Sequence, residues 1–89
     1  MEQALKLLKA QIGIKSTIRD EFYKALLQSS AKEIERKVKL NLEEIDDIML
    51  LVDYADWMNK KRNTGEPMPE NIKDRIRDRK IKKRSEPHD

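Results

Sequence analysis

Eighty-nine residues bound one small domain, and a composition of 37% apolar and 42% charged residues leaves material for only a thin core. The absence of cysteine excludes a disulfide framework and thiolate chemistry, and two lone glycines exclude the glycine-rich loops that cradle phosphates or dinucleotides. The net charge of +3 hides an asymmetry: residues 1–59 hold 9 Lys/Arg against 11 Asp/Glu, whereas residues 60–89 hold 11 against 6. Such polarity points to a polyanion or to a complementary protein surface as partner.

Apolar spacing is helical along nearly the whole chain. Leu5, Leu8 and Ile12 follow i, i+3, i+7 and predict a first helix over 2–12. Gly13 suits the left-handed residue after its end, and Ile14 stands where the apolar contact of a Schellman motif belongs. A second helix is predicted over 17–40. Thr17 and Asp20 form an [ST]-x-x-[DE] capping pattern at its start. Ile18, Phe22, Leu26, Ile34 and Val38 share its inner stripe, with Ser30 in the gap and Ala31 beside it.

The third helix is predicted over 42–63, capped by Asn41 with Glu44 and loaded at its N-terminal end by Glu43, Glu44, Asp46 and Asp47. Ile45, Ile48, Met49, Val52 and Ala55 continue one face and Leu50 with Leu51 widens it, so this long helix should lie at the centre of the bundle. Gly65 and Pro67 stop it. A fourth helix is predicted over 69–83, opened by Pro69 and docked weakly through the narrow edge of Ile72 and Ile76, with Ile81 off that stripe. Glu70–Lys73, Asp74–Arg77 and Asp78–Lys82 compensate one another along it at helical spacing. The expected organisation is an all-α helical core over 1–66, a basic C-terminal helix over 67–84 and a frayed tail over 85–89. No strand pattern, internal repeat or low-complexity segment is expected.

Chemistry has little footing. His88, the single histidine, reads as an exposed tail residue. Asp46 and Asp47 are adjacent, project about 100° apart on a helix, and make no acid–base pair. Asp53 and Asp56 share a face, but a bundle metal site calls for a matching Glu-x-x-His on another helix, and none occurs. No catalytic, cofactor-binding or metal-binding residue is expected, nor any cofactor. The longest apolar run, Ile48 to Val52, is far short of the ~18 residues of a membrane span, and no signal-peptide pattern opens the chain; the expectation is a soluble, intracellular protein without a membrane partner.

Tyr54 and Trp57, three residues apart, read either as core packing or as an interface anchor. In the C-terminal segment, Arg79, Lys80, Lys82, Lys83 and Arg84 stay uncompensated. They suit a protein-facing basic helix or, alternatively, a small nucleic-acid-binding or regulatory protein. A base-stacking platform, however, needs aromatics interleaved with the cations, and this stretch has none.

The segments "RDEFYKALLQSSAKEIERK" and "MLLVDYADWMNKKRNTGEPMPENIKDRIR" resemble the small head–tail connector (head-completion, adaptor) proteins of tailed bacteriophages and prophages, and "LKLLKAQIGI" fits the way those proteins begin. The likeness covers most of the chain and rests on soft patterns of apolar and aromatic residues. It implies a non-enzymatic α-helical protein that assembles as a homo-oligomeric ring between the portal protein and a tail-side completion protein. Such a ring extends a channel through which DNA passes without sequence-specific binding. The resemblance also implies residence in the bacterial host cytoplasm during assembly, then at the virion head–tail junction. Residue by residue, Tyr54, Ala55 and Trp57 match the family's aromatic helix, while Met68, Pro69, Ile72 and Ile76 match the segment leading into the terminal helix. Arg75 to Arg84 would then face the portal or lie near the channel. The chain departs from the pattern in having few residues beyond that helix, which puts in doubt the reach of a portal-binding tail.

Overall fold

A computed structural model describes the chain over residues 1–85, and its side chains over residues 1–81. Four helices account for the described fold: α1 (Glu2–Ile12), α2 (Asp20–Glu35), α3 (Ile45–Thr64) and α4 (Glu70–Ser85). The small all-α bundle expected from apolar periodicity is the observed architecture. Of the tail expected over 85–89, Ser85 closes α4, and 86–89 lie outside the described residues.

The central helix is α3, against which each of the other three packs. Its sequence explains this place: Leu50, Leu51, Val52 and Ala55 are fully buried, and Ile48, Tyr54 and Trp57 nearly so, which together surround most of the helix with protein. From α1 come Ala4, Leu5 and Leu8; from α2 come Tyr23, Leu26, Leu27, Ala31 and Ile34. Because α4 adds only Ile72 and Ile76, the molecule is drawn out rather than spherical, with extents of 48 × 28 × 18 Å. Its radius of gyration of 13.8 Å exceeds the ~12 Å expected of a compact chain of this length.

Both glycines end helices as expected. Gly13 and Gly65 take φ of 87° and 70°, and their amides donate to the carbonyls of Lys9 and Lys61 at 2.8 Å. Ile14 also donates to Lys9 and lies partly buried against the core. Each arrangement satisfies a carbonyl that the last helical turn leaves without a partner.

The starts of α2 and α3 depart from expectation. No side chain caps α2, which begins at Asp20 rather than at residue 17. Asp20 instead reaches across to α1, accepting from Lys9 Nζ at 2.6 Å, so a tertiary ion pair displaces the local capping box. Ile18 falls outside the helix in consequence and is 90% exposed, not part of the inner stripe. The helix also stops at Glu35 instead of 40. Val38 and Leu40 are both buried; two residues apart on a helix they would point about 200° from one another, and only a non-helical path turns both inward.

In α3 the first turn is likewise later than expected, starting at Ile45 rather than 42, and Ile45 itself is exposed. The predicted Asn41–Glu44 box is replaced by a wider one. Asn41 Oδ1 accepts from the Glu43 amide at 3.1 Å, while the Asn41 amide donates to Asp47 Oδ2 at 2.8 Å. The reciprocal acid thus lies one turn further along than the spacing rule places it.

Candidate interaction surfaces

The α3–α4 seam gathers most of the residues singled out from sequence. The helices run antiparallel, since Arg75 pairs with Asp53 and Arg79, one turn later, pairs with Asp47. Beside the pairs, on the same side of α4, sit Ile72 and Ile76, 2% and 5% exposed. The spacing follows from two successive tetrads, Ile-Lys-Asp-Arg at 72–75 and Ile-Arg-Asp-Arg at 76–79. This is a four-residue internal repeat, contrary to the expectation of none. A period of four nearly matches the helical turn, so it aligns one Ile row and one Arg row along the same side of α4.

Both arginines are therefore directed at α3. Arg75 Nη1 donates to Asp53 Oδ2 at 2.8 Å and to Asn71 Oδ1 at 3.2 Å. Arg79 Nε donates to Asp47 Oδ1 at 2.9 Å, and its other nitrogens reach the carbonyls of Arg75 and Asp46. Asp47 accepts from both Asn41 and Arg79, tying the α2–α3 loop to α4. Nothing in the local sequence of Asp47 announces that partner, which lies 32 residues away.

Further along α3, Gln11 from α1 donates to Asp53 at 3.1 Å and to Asp56 at 2.9 Å, and Lys60 lies 3.4 Å from Asp56. The two aspartates that share a face thus bridge α1, α3 and α4 through amide and cationic donors. Among the described residues no group of three or more His, Cys, Asp or Glu side chains is placed to hold a metal ion.

Tyr54 and Trp57 occupy the interior, 5% and 8% exposed, and meet edge to face with ring centroids 5.4 Å apart. The Tyr54 hydroxyl donates to Glu33 Oε2 of α2 at 3.0 Å. Burial first, then this bond and the charge of Glu33, push the phenol up to about 12, because each disfavours the phenolate. The Trp57 Nε1–H donates to the carbonyl of Glu66 at 3.1 Å, fastening the turn that leads into α4.

The outer side of α4 is mixed in charge. Lys73 pairs with Glu70 at 3.5 Å and Arg77 with Asp74, as the spacing predicts. Lys80 and Ile81 are exposed. The side chains of Lys82, Lys83 and Arg84, and with them the Asp78–Lys82 pair, lie outside the described residues. Among the described residues no helix is long and apolar enough to cross a membrane. No protein-family model, curated protein or solved structure matches this chain.

Proposed function

We propose that this chain is a structural assembly protein of the head–tail connector kind. Copies associate into a ring between the portal protein and a tail-side completion protein, and the ring prolongs the channel through which DNA passes. Its role is non-catalytic. Host cytoplasm during assembly and the head–tail junction of the virion are the locations that follow from this reading.

The observation that carries it is the one-sided seating of α4. A 16-residue helix rests on α3 through one Ile row and one Arg row, leaving its opposite side open for a neighbouring subunit. A head-to-tail contact between unlike surfaces closes into a ring when its rotation permits. Intersubunit attraction cannot draw on all the basic charge of the C-terminal segment, because Arg75 and Arg79 already pair with Asp53 and Asp47 of the same chain. Lys80, exposed to solvent, remains for that purpose.

Mass photometry and sedimentation velocity, at low and high salt and with and without a portal ring, test the proposal. The expected result is a discrete ring-sized species that forms at least in the presence of portal and is lost in a Lys80→Glu/Lys82→Glu/Lys83→Glu variant. A strict monomer at high protein concentration, even with portal, refutes it.

A further inference from the structure

A second basic surface lies at the far end of α3 from the α4 cations. Arg62, near the C-terminal end of α3, places its guanidinium carbon 5.2 Å from the centroid of the Phe22 ring. Arg19, immediately before α2, places its own 4.5 Å from the same centroid and 5.6 Å from that of Tyr23. On the residue before Arg62, the Lys61 ammonium sits 5.0 Å from the centroid of Trp57, one turn back on α3. Three cations, two on α3 and one just before α2, are thus laid on aromatic rings.

None of these three cations has a carboxylate partner among the described residues. The acids nearest in sequence are engaged elsewhere: Asp20 with Lys9, Glu21 with Lys24, Asp56 with Lys60, and Glu66 accepts from the Thr64 hydroxyl. Like charges at one ring repel, and each is held there by the negative face of the aromatic system. Their hydrogen-bond donors face solvent at exposed positions, where an anion can reach them. The preceding residue, Ile18, is the most exposed of the large apolar side chains, at 90%.

From this arrangement we infer that Arg19, Lys61 and Arg62, organised on Phe22 and Trp57, form a sequence-independent binding surface for single-stranded nucleic acid. Two guanidiniums on a shared ring stand no more than about 10 Å apart, close enough to meet neighbouring phosphates of one strand. Planar guanidiniums offer faces on which bases stack, and Ile18 adds apolar surface beside them. An acidic protein would use the charges but not the planes. The C-terminal cations, by contrast, have no aromatic residue among them. The inference is independent of ring assembly, because it concerns the opposite end of α3.

Fluorescence anisotropy with a labelled oligothymidine strand tests it over about 50–200 mM salt. The wild-type chain should bind, with log affinity falling against log salt at a slope near −2, or about −0.7 for each of three phosphates. Arg19→Gln/Lys61→Gln/Arg62→Gln should lose about tenfold or more in affinity at the lower salt and most of that slope. Lys80→Gln/Lys82→Gln/Lys83→Gln should keep both. Far-UV circular dichroism checks the fold, and Lys61→Glu alone, at an exposed position, should weaken binding without touching the core. Failure of the wild type to bind at low salt overturns the inference. So does loss of binding in the Lys80 series with retention in the Arg19 series. Equal competition by polyglutamate, matched for charge, overturns the assignment to nucleic acid.

Discussion

Replacement of Ile72 by Ala should release α4 without unfolding the rest of the molecule. Ile72 and Ile76 are the buried apolar side chains of α4, and full burial of such a residue stabilises by about 1.5–3 kcal/mol. The two ion pairs of the seam are partly open to water, with side-chain exposures of 29% and 29% for Arg75–Asp53 and 22% and 16% for Arg79–Asp47. Pairs of that kind add at most ~1 kcal/mol each. Apolar burial therefore supplies the larger share of the docking. An Ile→Ala change in a core costs about 2–5 kcal/mol, and the lower part of that range applies at an edge where a helix can settle into the space. A loss of about 2–3 kcal/mol corresponds to a ~30- to 150-fold rise in the open population of α4. Native-state hydrogen exchange reads this directly: amides of 73–85 should exchange faster by that factor, while those of α2 and α3 hold their protection. Equal loss of protection in α2, α3 and α4 would refute the reasoning, since it would make α4 part of one cooperative unit with the core. Unchanged exchange in α4 would refute it too, by showing that the Ile row does not carry the docking.

Substituting Ala at Gly65, where φ is 70°, should destabilise by about 1 kcal/mol and lower the thermal midpoint by ~4–8 °C, as read by circular dichroism. Open space around the position means that the cost is backbone strain alone. Stability should fall as pH rises from about 10 towards 12, because the native state holds the Tyr54 proton more tightly than the unfolded chain. The stabilisation is complete below the ordinary tyrosine value and is lost as pH passes the raised one. Partial water access to Glu33 keeps its size to on the order of 1 kcal/mol, and Tyr54→Phe should flatten this part of a urea-denaturation pH profile. A double-mutant cycle of Asp47→Asn and Arg79→Gln should give a coupling of about 0.5–1 kcal/mol that shrinks with added salt, measured by urea denaturation. Ser30→Ala should change stability by no more than about 0.5 kcal/mol in the same assay. The buried hydroxyl bonds only the Leu26 carbonyl of its own helix, and Ala is the better helix former.

Local rules read the helices well and the starts of α2 and α3 poorly. Gly13 and Gly65 are legible because a left-handed backbone residue is a property of one position and its immediate turn. The central place of α3 is legible because apolar residues on most of its circumference leave no other packing. Thr17–Asp20 and Asn41–Glu44 misled because each acid had a choice of partners. Asp20 bonds to Lys9 on another helix, and Asp47 rather than Glu44 answers Asn41 while also holding Arg79. Of the candidate site, the basic and apolar residue types were legible, but their directions were not. Arg75 and Arg79 turn inward to aspartates 22 and 32 residues away. The tetrad repeat of 72–79 is the signal in the sequence that foretells one Ile row and one Arg row side by side.

The stretch from Ile72 to Arg79 shows where the division lies. By itself the sequence determined that this segment is a helix, with its isoleucines in one row and its arginines in another, since that depends only on the 3.6-residue turn. The tertiary structure alone decided that the arginine row meets Asp47 and Asp53, and that Arg19 and Arg62, 43 positions apart, share the ring of Phe22. Helical periodicity is a short-range constraint written in neighbouring residues. Which charges meet depends on how antiparallel helices slide and turn against one another, and that is set by the packing of the whole core.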